Sequence, residues 1–423
     1  MFRQIDVHPD DWKFQRILRT DHQSSTSEPA LYDLTTVTYG TKPAPYLACR
    51  VLKQLLSDEG HKFPLAIEPF EKGSYVDDIT GGADTLSRLN EIASQVEALC
   101  LTGCFPVAKW KSNHPSFCKV NSSSLSSNTS HQFDEFTCKI LGMSWKCSPD
   151  ILTFTGHIFQ TSAITKRIIL SETAQLFDPL GLISSVIVRA KILMQDLWLE
   201  KIRWDDPLTT QITHRWKTFR SELVDLANLK IPRWLNLTSD LSHVEIHGFS
   251  DASQTPMAAA VYIRVSHPNQ QSKVTLVCAK TRVAPLKRLT IPRLELSAAL
   301  LLAKLISRTR KALNLINVPV TLWTDSSVTL AWINSDPTRW KEFVKNRVRD
   351  IHEISPSAVW KFISTKQNPA DCASRGLNPS QLMKHSLWWS GPDWLTKPSH
   401  QWPSFLPLDV SHEDMEMRSS AAQ

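Results

Sequence analysis

The sequence is poor in glycine and tyrosine. Its 423 residues include 12 Gly and 5 Tyr, against 15 Trp. So little glycine argues against Gly-rich repeats, and no Gly-rich phosphate loop occurs. No Ser-His-Asp order suited to nucleophilic catalysis is present either.

The sequence also lacks the features of an exported or membrane-spanning chain. Its N-terminus has no apolar stretch of the signal-peptide type. The most apolar run, 180–199, contains Arg189, Lys191 and Asp196, which are costly to place in a bilayer. We therefore expect an intracellular protein, in the cytoplasm or the nucleus, that is not secreted and has no membrane partner. Its eight cysteines should be thiols.

What the sequence does contain is typical of folded domains with unevenly placed positive charge. Hydrophobic residues make up 42% and charged residues 21%, and the length suggests two or three domains. The formal net charge is +7, and basic residues cluster between Lys280 and Lys311 and between Arg339 and Arg349. Such clusters are either solvated faces or a nucleic-acid footprint. The second interpretation needs a matching site on the same domain.

The N-terminal half predicts mixed secondary structure. Segment 31–39 is β-rich, whereas 45–56 and 86–101 have helical character. Segment 121–132 is rich in Ser and Thr, which indicates a flexible loop or linker. From 137 to about 233 the pattern predicts mostly helix.

From residue 243 the pattern predicts one α/β domain. Its elements follow the order β-β-β-α-β-α-β, and a short polar connection at 266–272 indicates antiparallel hairpins among the first strands. These elements are predicted at 244–249, 257–265, 273–283, 292–313, 318–324, 336–354 and 359–365.

Four carboxylates lie where such a domain would place a ligand site. Asp251 follows the first strand, and Asp325 ends the fourth. Glu295 opens the long helix, and Asp371 follows the last strand. Because ligand sites in open α/β sheets lie at strand ends, these side chains are expected to converge. Clustered carboxylates raise one another's pKa, and an oxygen-preferring cation such as Mg²⁺ or Mn²⁺ would compensate their charge.

Each acid also has a purely structural interpretation. Glu295 in the first turn of a helix would offset the helix macrodipole. Asp325 and Asp371 could be N-caps, and Asp251 could belong to a turn. Their joint occurrence in this element order, beside basic segments, favours a functional cluster.

Residues 243–375 resemble the ribonuclease H domain of LTR retrotransposon polyproteins, and segment 291–296 (IPRLEL) is similar to the BEL/Pao group. The resemblance implies a ribonuclease H-like mixed five-stranded sheet with flanking helices. It also implies two Mg²⁺ or Mn²⁺ ions that hydrolyse the RNA strand of an RNA–DNA hybrid. Their ligands, which are also the catalytic residues, would be Asp251, Glu295, Asp325 and Asp371.

Two further features bear on this resemblance. Retroviral relatives carry a His in the loop before the last acid, where this chain has 366–368 (KQN). The departure bears on the rate more than on the activity. Salt-dependent contacts to nucleic-acid phosphates are predicted from the basic clusters. The residues predicted to make them are Lys287, Arg288, Lys345 and Arg347.

The N-terminal part resembles the reverse transcriptase of the same polyproteins. Segment 75–78 (YVDD), with Tyr75, Asp77 and Asp78, is similar to the polymerase hairpin, whose acids bind metals. Segments 38–45 (TYGTKPAP) and 139–145 (KILGMSW) resemble the nucleotide pocket and the primer grip. In the family, a stretch like residues 1–5 follows the first catalytic Asp of the palm. The resemblance thus implies a truncated palm and thumb without templated DNA synthesis.

The middle of the chain resembles the Pao connection region. The matching segments are 165–167 (TKR), 177–181 (FDPLG) and 204–206 (WDD). That region carries the label of an aspartic peptidase family, A17. No Asp-Thr-Gly or Asp-Ser-Gly turn occurs in this sequence, so we expect no peptidase activity.

The prediction is therefore a multidomain α/β and α+β fragment of a retrotransposon Pol polyprotein. Its parts are a truncated palm at 1–118, a Ser-rich linker at 119–135, a thumb and connection at 136–235, a ribonuclease H-like domain at 236–380 and a tail at 381–423. Trp388, Trp389 and Trp394 indicate that the tail is a docking segment. The predicted function is metal-dependent RNA hydrolysis in hybrids. The alternative is a non-catalytic, nucleic-acid-binding remnant.

Overall fold

A computed structural model describes eight stretches of the chain. They are residues 1–19, 29–117, 137–156, 159, 163–238, 240–266, 271–403 and 416–417. The chain forms two compact units, Met1–His131 and Gln132–Gln423. The linker predicted at 119–135 lies outside the described residues. The remaining predicted domain boundaries stay predictions.

The first unit is a small α+β assembly. Its helices are α1 (Ala44–Glu59), α2 (Ile67–Lys72) and α3 (Leu86–Thr102), and its strands are β1 (Arg16–Arg19), β2 (Ala30–Asp33), β3 (Ser74–Tyr75) and β4 (Asp78–Ile79). The helices pack through buried apolar residues such as Ala48, Phe70 and Leu99. The helices predicted at 45–56 and 86–101 are confirmed. The strand predicted at 31–39 is limited to β2.

A four-stranded antiparallel sheet opens the second unit. Its strands are β5 (Thr137–Ile140), β6 (Met143–Lys146), β7 (Ile151–Thr153) and β8 (Ile231–Pro232). The prediction of mostly helix from 137 was wrong for these residues. Leu141 and Gly142 both have positive φ, 48° and 85°, which is the two-residue turn that joins tightly paired antiparallel strands.

Three helices then precede the main sheet, and two of their contacts join the segments of the predicted connection region. The helices are α4 (Lys166–Ala174), α5 (Ser184–Leu199) and α6 (Thr210–Glu222). Lys166 Nζ lies 5.2 Å from the ring centroid of Trp204, and Arg167 forms an ion pair with Asp205 at 2.7 Å. The segments TKR and WDD are therefore contact partners.

The main sheet has five strands in the order β11-β10-β9-β12-β13. The first three pair antiparallel, whereas β9, β12 and β13 are parallel, so the predicted mixed sheet is confirmed. The strands are β9 (Val244–Ala252), β10 (Pro256–Val265), β11 (Lys273–Val283), β12 (Val320–Thr324) and β13 (Val359–Phe362).

Helices connect and follow these strands. They are α7 (Ile291–Ala312), α8 (Ser327–Ile333), α9 (Glu342–Ile354), α10 (Asp371–Arg375), α11 (Pro379–Met383) and α12 (Ser386–Ser390). Segments of 3-10 helix occur at Phe2–Gln4, Pro9–Gln15, Gly60–Lys62, Pro64–Ala66, Leu223–Asn228, Pro337–Arg339, Thr365–Gln367, Asp393–Thr396 and Ser399–Gln401. The predicted order of elements is confirmed, and α8 is an addition to it.

Both faces of the sheet are covered, which explains why β10 is buried along its whole length. Side chains alternate between faces along a strand. Ala260 and Tyr262 therefore join the core that includes α5, whereas Val261 and Ile263 join the core beneath α7. A strand buried on both faces appears in the sequence as a continuous apolar run.

The loop before α5 fixes that helix against the sheet. Both carboxylate oxygens of Asp178 accept hydrogen bonds from the backbone N–H groups of Leu182 and Ile183, at 2.8 and 2.9 Å. Gly181 has φ +75°, and a Cβ atom there would lie 1.8 Å from the carbonyl oxygen of Ala279 on β11. Asp178 and Gly181 of the FDPLG segment are therefore needed to hold α5 against the sheet.

The segment after residue 385 covers the same face of the sheet. Trp388 is fully buried and donates its Nε1 hydrogen bond to the carbonyl oxygen of Leu182 at 2.9 Å. The Tyr262 hydroxyl donates to the carbonyl oxygen of Trp388 at 2.7 Å, and Arg264 Nε donates to that of Leu395 at 2.8 Å. The ring of Trp394 packs against that of Trp323 on β12, with centroids 5.0 Å apart. Docking through Trp388 and Trp394 agrees with these contacts.

Two observations bear on the expected environment of the chain. Within the described residues, no helix combines the length and apolar character needed to cross a membrane. The cysteines among those residues are free thiols: Cys49, Cys100, Cys104, Cys138, Cys147, Cys278 and Cys372.

Candidate active site

Three of the four predicted acids converge at one end of the main sheet. Asp251 lies near the end of β9, and Asp325 directly follows the parallel strand β12, where Thr324 pairs with Ser250. Glu295 reaches them from the second turn of α7. One ligand oxygen from each carboxylate lies within 4.8 Å of the other two.

The side chains of the cluster are largely buried. Asp251 and Glu295 are 5% and 6% exposed, and Asp325 is half-buried. Burial raises the pKa of Asp251 to about 7, and the charge of Asp325 adds to the rise. Burial and then the charge of Asp251 raise the pKa of Glu295 well above its ordinary value, against the hydrogen bond from Ala252. This is the electrostatic behaviour expected of crowded carboxylates without a counter-charge.

Asp371 lies at the edge of this cluster. It begins α10 and is half-buried. Its Oδ1 forms an ion pair with Nε of Arg375, 2.6 Å away. Its charge contributes to the raised pKa values of Asp251 and Glu295, so it shares their electrostatic environment. Its own pKa is raised by burial, and Arg375 opposes the rise.

The structure agrees with a purely structural interpretation for some of the acids and not for others. Ser326, and not Asp325, caps α8, since its hydroxyl accepts the N–H of Thr329. Glu295 lies beyond the first turn of α7 and accepts the N–H of Ala252 at 3.1 Å. Asp371 does lie in the first turn of its short helix. Capping therefore does not account for Glu295 or Asp325.

The donor set fits a hard divalent cation. Oε2 of Glu295 is buried and has no hydrogen-bond partner within the part of the chain that the structure describes. A buried polar atom without a partner is costly, and a cation bound by carboxylate oxygens would satisfy it. Oxygen-only ligands suit Mg²⁺ or Mn²⁺ better than the softer metals that bind thiolates.

The acids of the YVDD segment have a different environment. β3 and β4 form a tight antiparallel hairpin in which Tyr75 pairs with Asp78. Val76 has φ +56°, an uncommon conformation for a β-branched residue that marks a turn. Tyr75, Asp77 and Asp78 are all exposed.

The predicted phosphate contacts differ in accessibility. Lys287 and Arg288 are exposed in the loop that leads into α7. Lys345 and Arg347 lie half-buried on α9. The Arg347 guanidinium is 3.5 Å from the ring centroid of Phe343 and donates to its carbonyl oxygen. The loop before α7 therefore presents the freer pair of cations.

The structure adds two polar residues that the sequence prediction did not include. Asn368 and Ser374 are 0% and 1% exposed, and each donates a side-chain hydrogen bond to an acid of the cluster. Both lie within three residues of Asp371 in the sequence, and this proximity to a predicted site residue is the feature that could have identified them. Their residue types alone do not distinguish them from turn-forming residues.

The mixed sheet, with acids at the carboxyl ends of its adjacent parallel strands, defines a ribonuclease H-like α/β domain. Residues 165–326 match the family model described as a Pao retrotransposon-like RNaseH-like domain. This match confirms the predicted relation to retrotransposon Pol. The match includes α4 to α6 as well as Asp251, Glu295 and Asp325. Assignment to the BEL/Pao group and the A17 label stay predictions.

No curated protein matches the chain. A solved structure, that of the foamy viral protease–reverse transcriptase in complex with an RNA/DNA hybrid, is similar at a TM-score of 0.48 and 16% sequence identity. The similarity covers 86% of this chain and 43% of the foamy viral chain.

Proposed function

We propose that this chain hydrolyses the RNA strand of RNA–DNA hybrids with the carboxylate cluster of its ribonuclease H-like domain. The observation that carries the proposal is the convergence within 4.8 Å of three acids, of which two are buried and one is half-buried. Crowded acids with raised pKa values cluster at functional sites more often than at structural ones. The family relation of residues 165–326 supports nucleic acid as the substrate class.

The residues that would hold Mg²⁺ or Mn²⁺, as two ions, are Asp251, Glu295, Asp325 and Asp371. When bound, such ions supply positive charge to the phosphate and lower the pKa of water, so no side-chain nucleophile is required. Cys372, beside Asp371, is not suited to that task, because burial raises its pKa to about 12. The acids would hold and orient the ions, and Asp251 and Glu295 are themselves buried.

The remaining roles concern the substrate. Lys287 and Arg288 are proposed to contact phosphates, with Lys345 and Arg347 further along the same domain. The 2′-hydroxyl is what allows a protein to distinguish an RNA strand from DNA. The proposal includes an intracellular location, where hybrids and reduced cysteines coexist.

The test is cleavage of a labelled RNA–DNA hybrid by the full chain in Mg²⁺ or Mn²⁺. Duplex DNA and duplex RNA of the same sequence serve as substrate controls. Glu295→Gln should abolish cleavage, whereas Glu200→Gln, which removes an exposed charge at the end of α5, should not. Equal cleavage by the two variants would refute the proposal. Hybrid binding without any cleavage would support the non-catalytic alternative instead.

A further inference from the structure

Each acid of the cluster is held by one uncharged donor of the protein. The Ser374 hydroxyl donates to Oδ2 of Asp251, and Nδ2 of Asn368 donates to Oδ1 of Asp325 at 3.3 Å. The backbone N–H of Ala252 donates to Oε1 of Glu295. One oxygen of each carboxylate is therefore engaged by the protein.

Asn368 connects three parts of the site. Its Nδ2 also donates to the carbonyl oxygen of Ser250, next to Asp251, at 3.0 Å. Its Oδ1 accepts the backbone N–H of Ala370 at 3.1 Å, which shapes the turn that leads to Asp371. The two amide hydrogens and the amide oxygen are thus all used within the site.

Ser374 joins the same segment to β9. Its hydroxyl contacts Asp251, and its carbonyl oxygen accepts a hydrogen bond from the Ser253 hydroxyl at 2.8 Å. Asn368 and Ser374 therefore hold the segment 368–374 against the end of the sheet through buried hydrogen bonds.

The uncharged character of these donors matters. An Arg or Lys in their place would neutralise the carboxylates and compete with a cation. An amide and a hydroxyl fix the orientation of a carboxylate but leave its negative charge in place. Donors of this kind orient metal ligands before the ion arrives, which reduces the cost of binding.

We propose that Asn368 and Ser374 are positioning residues, which preset Asp325 and Asp251 so that the second oxygen of each faces a shared divalent cation. The inference rests on the proposed function for its biological purpose. If the two residues preset the acids, they raise the affinity of the chain for a divalent cation, and that affinity can be measured without any substrate.

The experiment measures Mn²⁺ affinity of the full chain by calorimetry, without nucleic acid. Asn368→Ala and Ser374→Ala should each weaken Mn²⁺ binding by about 10-fold or more. Two buried residues whose side chains make no hydrogen bond to the acids provide matched controls: Asn236→Ala and Ser185→Ala should bind Mn²⁺ like the wild type. Thermal unfolding in a chelator shows that each variant is folded.

A second readout separates positioning from a general loss of structure. High Mn²⁺ should restore hybrid cleavage to Asn368→Ala, with an unchanged KM for the hybrid, but not to Asp325→Asn, which lacks the ligand itself. Folded Asn368→Ala and Ser374→Ala with wild-type Mn²⁺ affinity would overturn the inference. Should Asn368→Ala not fold, Ser374→Ala decides it by the same criterion.

Failure of the proposed function looks different. If the wild type binds Mn²⁺ through Asp251 but leaves hybrids intact, hydrolysis is refuted and the positioning inference is judged on Mn²⁺ affinity alone. If the wild type binds no Mn²⁺, the cation cage itself is refuted, and the positioning inference is overturned with it.

Discussion

Two sets of acids in this chain look alike in the sequence and differ in the structure. Asp77 and Asp78 are exposed in the β3–β4 hairpin of the first unit, Asp77 in its turn and Asp78 at the start of β4. Asp251 and Glu295 are buried, crowded and close to Asp325 in the second unit. Exposed acids are solvated and need no partner, whereas buried acids need a counter-charge or a proton. Burial, and not the motif, makes the second set a candidate metal site.

Removing one charge from each unit should produce very different effects on hybrid cleavage. Asp325→Asn should lower hybrid cleavage by about 10³-fold or more, because it removes a cation ligand and transition-state stabilisation. Asp84→Asn, at an exposed acid close to the hairpin in sequence, should leave cleavage unchanged. The measurement is initial cleavage rate at saturating Mn²⁺. A loss of less than 10-fold for Asp325→Asn would contradict the assignment.

The second prediction concerns the cover of the sheet. Ending the chain after residue 385 removes Trp388, Trp394 and Leu395 from the core. Each buried side chain contributes about 1.5–3 kcal/mol, so the loss is comparable with the stability of a whole domain. We expect the second unit to become sensitive to proteases, while the first unit keeps its wild-type digestion pattern. Mass spectrometry of limited digests checks this, and an unchanged pattern in the second unit would contradict it.

The third prediction uses the raised pKa of Asp251 in metal-free protein. A carboxyl whose folded pKa is raised from 3.8 to about 7 stabilises the fold below pH 4 and loses that contribution as pH rises through 7. Asp251→Asn should therefore raise the Tm at pH 8 in a chelator by several degrees, and less at pH 5. Asp78→Asn should change the Tm little at either pH. Thermal unfolding curves at both pH values test the difference.

The smallest expected effect concerns the basic residues. Lys287→Ala should weaken hybrid binding a few-fold and reduce the slope of log affinity against log salt by about 0.7–0.9, as expected for one lost phosphate contact. Lys311 is exposed on the same helix as Glu295, 16 residues further on, which is about 24 Å along the axis. Lys311→Ala should leave the slope unchanged. Equal slopes for the two variants would exclude a phosphate contact specific to Lys287.

The sequence predicted the main sheet well because its elements carry strong local signals. β10 is a continuous apolar run, and α7 is long and amphipathic, so both could be placed to within a few residues. The convergence of Asp251 and Asp325 was predicted from their positions at the ends of strands. Short elements were harder to predict. β5 to β7 have three or four residues each, which is too few for a period to emerge.

Contacts between distant segments could not be predicted. Nothing local to Asn368 indicates that its amide reaches Asp325, 43 residues earlier. Asp178 has similar chemistry with a different outcome: two backbone N–H groups and the charge of Lys191 compensate it, although burial raises its pKa to about 6. Sequence shows which acids exist, but the partners that the fold brings to them decide their chemistry.

The docking of Trp388 onto Leu182 has a consequence for how the protein is made. The two residues are 206 positions apart, and the whole main sheet lies between them in the chain. Contacts of such long sequence separation close late in folding. On the ribosome, the strands that carry Asp251 and Asp325 emerge well before residues 386–402, which cover their apolar face. The nascent domain must therefore hold an incompletely covered sheet, prone to association with other chains, until the last of these residues has been synthesised.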